Sequence, residues 1–331
     1  MAGTPTPLLV LSRADVADLL TMPAAIEAVE QAMRSLSAAA VEMPLRLTTA
    51  VPGRGTHLAM PAAMPGIDSL GIKCLTVYPG SGRGEPGIQG VLVLNDYATG
   101  RPLAVMDATQ LTAVRTAAAS AVATRALARP EASSLALLGA GVQASSHLEA
   151  MTCVRPLVRV RVASRTRASA DRFVAEHATR FPDLDLRAVD SAREAVEGAA
   201  VVCAVSTARE PIVDRAWIAP GTHLNGVGSH GPDVRELDGA TMRDARVLCD
   251  SREAALRECG DIILATAEGL LPPERAGDEL GAVLLGRAVG RRSADEITVY
   301  QSCGLAVQDV ATARLVYDAA RVHGRGTDVE L

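Results

Sequence analysis

The chain has 331 residues, of which 48% are hydrophobic and 21% charged, and its formal net charge is −5. That length exceeds what one hydrophobic core usually organises, so two domains are expected. Mild acidity and an aromatic content of only 2% argue against a nucleic-acid surface, which needs a basic face and stacking platforms.

The first third reads as α+β. "LLVLS" at 8–12 is a short strand. "TMPAAIEAVEQAMRSLSAA" is a helix with Thr21 as its cap and Pro23 in its first turn. "RLTTAVPGRGTHLAM" gives two strands around "PGRG", and "LGIKCLTVYP" gives another. "GVLVLNDYATGRPLAVMD" is a hairpin around "ATGR". Strands joined this way predict an antiparallel or mixed sheet. From Leu111 the pattern changes. "LTAVRTAAASAVATRALA" is a long alanine-rich helix ending near Pro130. The strands "SLALLG", "LVRVRVA", "DLRAV", "VVCAVS", "THLNGVG", "RVLCDS" and "ITVYQS" then alternate with helices. That alternation predicts a doubly wound parallel sheet. "AVQDVATARLVYDAARVHG" is a final helix. The fold class is therefore α/β: a Rossmann domain plus an α+β domain, with the boundary inside the alanine-rich helix.

Gly139, Gly141 and Ala144 fit G-x-G-x-x-G/A directly after a strand and at the start of a helix. The first glycine allows the tight turn, the second admits a pyrophosphate, and the small third residue lets helix and strand pack. The helix N-terminus adds unbonded N–H groups. The competing reading is a structural turn alone. An NAD site usually places an acid at the end of the next strand, for the ribose hydroxyls. Here "LVRVRVA" is followed by Ser164, Arg165, Thr166 and Arg167, with no acid. Hydroxyls and guanidinium groups suit a 2′-phosphate, so NADP(H) is favoured and NAD(H) remains the alternative. A solvated basic loop would look the same.

Three cations occupy settings where unpaired burial is costly: Arg46 on a predicted strand, Lys73 in the apolar "LGIKCLTV", and Arg115 in "LTAVRTAAASAVA". One such residue usually signals a structural ion pair. Three without an acid close by in sequence suggest a clamp for a small anion, most simply a carboxylate.

Other signals are negative. No apolar run approaches the roughly 20 residues of a membrane span, and "MAGTPTPLLVL" lacks the pattern of a secretory leader. The six cysteines form no C-x-x-C pair and read as buried thiols of a reducing cytoplasm. His57, His147, His177, His223 and His323 share no ligand spacing, so no metal is expected.

Taken together, "GIKCLTVYPG", "GVLVLNDYATGRPLAVMDATQLTAVRTAAASAVAT", "LLGAGVQASSHLEA", "GTHLNGVGSHGPDVRELD", "DSREAALRECGDI" and "ITVYQSCGLAVQDVATARLVYDAA" make the chain resemble the ornithine cyclodeaminase/mu-crystallin family over nearly its whole length. The likeness is greater to the mu-crystallin side, whose members act as ketimine reductases. The resemblance implies a substrate and dimerisation domain, 1–120 with 305–331, joined to an NAD(P)-binding Rossmann domain, 121–304, and a homodimer. It implies that Arg46, Lys73 and Arg115 contact a substrate carboxylate, with Met60 beside them, and that Lys73 takes part in proton transfer. Thr116, Val142, Gln143, Thr207, Val227 and Ser229 join the glycine turn as cofactor-binding candidates.

Two departures point away from cyclodeaminases. Leu58 stands where they carry an acid two positions before "MP", and His230 stands where they carry a catalytic aspartate. His230 is a candidate proton donor or substrate hydrogen-bonding group; its plain alternative is a loop histidine bonded to backbone. Asp309 either orients Lys73 or caps the final helix. The expected activity is NAD(P)H-dependent reduction of a cyclic ketimine carboxylate, Δ1-pyrroline-2-carboxylate or Δ1-piperideine-2-carboxylate, to proline or pipecolate. The rivals are an amino-acid dehydrogenase or reductive aminase on an oxo acid, an ornithine cyclodeaminase, and a non-catalytic NADP-binding protein.

Overall fold

The computed structural model describes residues 7–78 and 87–330. The first six residues and the final "PG" of "GIKCLTVYPG" lie outside the described residues. The chain divides into two compact units, Met1–Arg115 with Leu305–Leu331, and Thr116–Gly304.

In the first unit β1 (Leu8–Leu11) runs into α1 (Arg13–Leu19). This helix has no readable apolar stripe, because only Val16 is buried. Ser12 starts it: its hydroxyl accepts from the Asp15 N–H while the Asp15 carboxylate accepts from the Ser12 N–H. Then α2 (Met22–Ser37) buries Met22, Ala25, Ile26, Val29, Ala32 and Met33, the spacing of one helix face. Thr21 holds the N-cap position, but its side chain makes no capping bond. The strands β2 (Leu47–Val51), β3 (Gly55–Met64), β4 (Ser69–Val77), β5 (Ile88–Asp96) and β6 (Pro102–Asp107) follow in antiparallel succession. The unit boundary falls within α3 (Ala108–Leu127), between Arg115 and Thr116. Every residue of α3 from Leu111 to Thr124 is buried, so the helix has no polar face.

The second unit alternates strand and helix: β7 (Ser134–Leu138), α4 (Val142–Val154), β8 (Arg159–Ala163), α5 (Arg167–Ala178), β9 (Asp185–Ala188), α6 (Ala192–Val196) and β10 (Val201–Ala204). It continues with β11 (His223–Gly226), α7 (Gly239–Asp244), β12 (Arg246–Cys249), α8 (Arg252–Glu258), α9 (Gly260–Ala267), β13 (Asp278–Glu279), α10 (Leu280–Leu284) and β14 (Thr298–Gln301). All eight strands are parallel, in the order β13-β12-β14-β11-β10-β7-β8-β9. Strands β10, β11 and β14 are buried at every residue, as a sheet covered on both faces requires. The winding reverses between β7 and β10, which makes the carboxyl ends of these two strands the topological switch point. No disulfide joins cysteines among the described residues; Cys153 is exposed and Cys74 half-buried, so not every thiol is a core residue.

The chain then returns to the first unit with α11 (Ala306–His323) and β15 (Thr327–Val329). That unit's sheet has the order β15-β1-β6-β5-β4-β3-β2 and is mixed, because β1 runs parallel to β6. Helix α11 packs on β3, β4 and β5 and against α2. Alternation along β4 buries Ser69, Gly71, Lys73 and Leu75 on one face and leaves Leu70, Ile72 and Cys74 partly exposed on the other. That second face carries an apolar patch, bordered by Asp107, Thr76 and Gln89. Val10, Val105, Val93, Ile72 and Pro61 stand in register across five strands. Val91, Cys74, Ala59 and Leu47 form the next row.

Candidate functional site

In the first unit, strand alternation puts Lys73 on the buried face of β4, opposite Met60 of β3, which is itself buried. An ammonium there needs a partner. Asp309, in the first turn of α11, provides it: Lys73 Nζ lies 2.7 Å from both carboxylate oxygens. Arg115 of α3 donates Nε to the same carboxylate at 2.9 Å and Nη1 to Gln308 Oε1 at 3.2 Å. Lys73, Gln308 and Asp309 are fully buried and Arg115 is 6% exposed.

No acid lies beside these cations in sequence, but Asp309 meets them in the fold, where its side chain orients Lys73 and Arg115. Two cations nevertheless share one carboxylate, so positive charge is in excess. Burial pushes the Lys73 pKa down to about 7; the Arg115 and Arg46 charges push the same way, and Asp309 opposes them. Arg46 is half-buried and sits one residue before β2, not on the strand as expected. Gln308 was not singled out from sequence. Its Oε1 serves Arg115 and the Leu305 N–H, and its Nε2 is buried without a partner among the described residues. The signal available was a polar pair, Gln308-Asp309, inside the apolar run "LAVQDVA".

In the second unit the glycine turn follows β7 at the switch point. Gly139 has φ +131°, and a Cβ on it would lie 2.7 Å from the Val205 carbonyl oxygen just beyond β10. Only glycine fits. Gly141 occupies the N-cap of α4 with extended backbone and offers no side-chain cap to the first turn. A Cβ there would meet nothing within 4 Å. Val142 is 63% exposed, Gln143 is partly exposed, and Ala144 is buried against the sheet. The Gly139 N–H bonds the Ala163 carbonyl, and no side chain caps the first-turn N–H groups of α4. Behind it, His147 bridges the Gln143 carbonyl at 2.7 Å and the Ser120 hydroxyl at 2.9 Å. Burial lowers its pKa to about 4, so it is neutral.

At the end of β8, Ser164 is half-buried and Arg165 is exposed. Thr166 caps α5 through the Ser169 N–H. Arg167 is committed to Asp171 at 2.9 Å and Asp190 at 2.5 Å. The basic loop thus reduces to one arginine, Arg165, that makes no ion pair among the described residues. Thr207, beyond β10, is exposed, while Val227, beyond β11, and Thr116 are buried. Ser229 turns its hydroxyl inward, 3.4 Å from Cys259 Sγ and 3.3 Å from Gln301 Oε1. His230 is exposed; its N–H bonds the Gly228 carbonyl and its backbone bridges to Cys259.

A family model for the ornithine cyclodeaminase/mu-crystallin family matches residues 8–324. The chain belongs to the ornithine cyclodeaminase/mu-crystallin family. Ketimine reductase mu-crystallin of Mus musculus is 42% identical over 267 residues, covering 80% of this chain and 81% of that one. The structure of Thermococcus litoralis Δ1-pyrroline-2-carboxylate reductase, in complex with NADH and L-proline, aligns with a TM-score of 0.95 at 39% identity, over 97% of this chain and all of that one. An archaeal alanine dehydrogenase dimer with bound NAD aligns with a TM-score of 0.92 at 33% identity, over 98% of this chain and 99% of that one. As a member of the ornithine cyclodeaminase/mu-crystallin family, the chain places Leu58 on the Lys73 face of β3, opposite Leu75. An apolar side chain thus occupies that point beside the cluster.

Proposed function

We propose that the protein is an NAD(P)H-dependent reductase of cyclic ketimine carboxylates, yielding proline or pipecolate. The observation that carries this reading is the buried Lys73–Asp309–Arg115 cluster, in which two cations share one anion. A second carboxylate, from substrate, would complete the charge balance. Arg115 retains Nη2, and Gln308 retains Nε2, as donors without a partner among the described residues. Arg46 adds its charge from just before β2, and Met60 and Leu58 supply apolar surface for the ring.

The residues of the second unit fit a dinucleotide. Gly139 lets the turn approach β10, Gly141 leaves room where a pyrophosphate would lie, and the uncapped first turn of α4 offers N–H donors. Bound there, the cofactor supplies the hydride for the C=N carbon. The protein's work is to hold the carboxylate, orient the ring, exclude water and give the nitrogen its proton. Lys73 suits that last step. With a pKa near 7 it carries a transferable proton at neutral pH, and Asp309 holds the ammonium in place. His230 is the other candidate donor. Arg165 supports NADP(H) over NAD(H).

A homodimer is part of the reading. The apolar patch on the outer face of the first unit's sheet leaves Val10 39%, Val91 47% and Leu47 67% exposed, a surface suited to a second copy. The structural relative described as a dimer has the same fold. No described helix is long and apolar enough to cross a membrane, and a cytoplasmic location is proposed with the rest.

The test is oxidation of NADPH and NADH with Δ1-pyrroline-2-carboxylate and Δ1-piperideine-2-carboxylate, beside pyruvate with ammonia, with ammonia release from ornithine measured separately. Turnover of a ketimine that Lys73→Met abolishes and His230→Asn spares is expected. Turnover of only the oxo acid would replace this reading with an amino-acid dehydrogenase.

A further inference from the structure

One buried carboxylate in the second unit is not used by anything described so far. Glu236 is fully buried. Its Oε1 accepts from both the N–H and the hydroxyl of Ser206, each at 2.6 Å, and its Oε2 accepts from the Gly228 N–H at 2.6 Å. Ser206 lies two residues beyond β10, and Gly228 two residues beyond β11. The side chain therefore ties together the segments that leave two adjacent strands at their carboxyl ends.

The approach is close. A Cβ on Gly228 would sit 2.6 Å from the Glu236 carboxyl carbon and 2.3 Å from the Ser206 carbonyl oxygen, so no other residue fits there without moving the loops. Glu236 is itself held from behind. Asp261 accepts from the Glu236 N–H at 2.9 Å and the Leu237 N–H at 3.1 Å, and its other oxygen accepts from Gln301 Nε2 at 2.9 Å. Gln301 ends β14. The Glu236 carbonyl accepts from the Ile212 and Val213 N–H groups. Three strand ends are thus joined through one carboxylate and its support.

In a doubly wound sheet the first half, here β7 to β9, takes the adenosine side of a dinucleotide, and the second half takes the nicotinamide side. Thr207, Val227 and Ser229 sit directly beside Ser206 and Gly228. We infer that Glu236 is a positioning residue for the nicotinamide-bearing half of the cofactor, holding the backbone beyond β10 in fixed relation to the backbone beyond β11. Burying a carboxylate for fold stability alone is poor design, since an apolar replacement of similar volume is often neutral or better. A carboxylate that accepts three donors from two loops sets their geometry. This inference rests on the dinucleotide reading of the glycine turn.

Glu236→Gln is nearly isosteric but replaces one acceptor oxygen with an NH2 group, which must face an N–H donor from either Ser206 or Gly228. The experiment measures binding of NADPH and NADH by fluorescence titration, binding of ADP-ribose and 2′,5′-ADP by calorimetry, and amide exchange at Ser206 and Gly228 in the cofactor-free protein. Expected for Glu236→Gln, with binding measured at about pH 8 where Glu236 is ionised, is a dissociation constant for the whole dinucleotides raised about tenfold, the size of one lost hydrogen bond to a charged group. The adenosine-side fragments should bind within about twofold of wild type, given that their half-site is untouched. Exchange at the two amides should be faster. Equal weakening of fragments and dinucleotides, or no change in either, overturns the inference. Should Glu236→Gln fail to fold, Ser206→Ala removes the hydroxyl alone and is read by the same criteria, with a smaller shift. Gly141→Ala serves as the reference: if it leaves every dissociation constant unchanged, the dinucleotide reading itself fails.

Discussion

Lys73 and Asp309 lie 236 positions apart in sequence and 2.7 Å apart in the fold, and both are fully buried. The last helix of the first unit places its first turn over β4, and one carboxylate there organises both Lys73 and Arg115. Removing it leaves two buried cations facing each other. Asp309→Ala is expected to destabilise the protein by about 3–5 kcal/mol, read from urea midpoints. Asp309→Asn keeps the shape and removes the charge that holds the Lys73 proton. If Lys73 donates the proton, kcat/KM falls as pH rises through its pKa, and in Asp309→Asn that limb moves to lower pH. A limb that stays put would assign the proton to another group.

Gly139 and Gly141 are predicted to behave differently. Gly139→Ala combines a positive φ with a clash against the Val205 carbonyl and should cost at least about 1–3 kcal/mol of stability. Gly141→Ala meets no atom in the protein, so thermal stability should hardly change. Its dissociation constant for NADPH or NADH should rise about tenfold or more, since the added methyl enters the space of the pyrophosphate. A purely structural turn would show no such change in binding.

Cofactor choice should depend on Arg165 and not on Arg167. Arg165→Ala is expected to lower kcat/KM with NADPH about tenfold and to leave NADH within about twofold, because a guanidinium–phosphate contact is lost. Arg167 is already bound to two carboxylates, and Arg167→Ala should shift the preference far less. The reverse ranking in steady-state kinetics would move the 2′-phosphate site.

The outer sheet face should fail as an interface when charged. Leu47→Asp and Val91→Asp introduce carboxylates at positions already exposed in the single chain, so circular dichroism should be unchanged. Light scattering should show dimer giving way to monomer, because a stable interface needs about 800 Å² per partner and cannot bury an unpaired charge. A mass unaffected by both variants together would place the contact elsewhere.

Glu236 gives a pH dependence with a definite sign. Burial raises its pKa from 4.5 to about 7, against the hydrogen bonds from Ser206 and Gly228, and nearby Asp261 pushes the same way as burial. Between these values the folded chain keeps a proton that the unfolded chain releases. Stability conferred at low pH is therefore lost as pH rises through that window, with a slope of at most about 1.4 kcal/mol per unit. The stability difference between wild type and Glu236→Gln should fall from pH 5 to 7 and level off above it. Burial raises the Asp261 pKa in the same direction, and its repulsion with Glu236 is absent from Glu236→Gln.

What the sequence determined by itself was local or periodic. Gly139-x-Gly141 after an apolar strand is a contiguous turn, the strand-helix alternation from Leu135 onward is a repeated short-range pattern, and the lone Lys73 in "LGIKCLTV" announces its own burial. Helix α1 escaped because seven residues with one buried side chain carry no period. Tertiary structure alone decided the partners. Asp309 meets Lys73 and Arg115 only because α11 returns to the first sheet, Arg167 is drawn off by Asp190 from beyond β9, and Ser229 turns toward Gln301. A charge declares its need for a counter-charge in the sequence, but which acid answers is set by chain elements that meet only on folding.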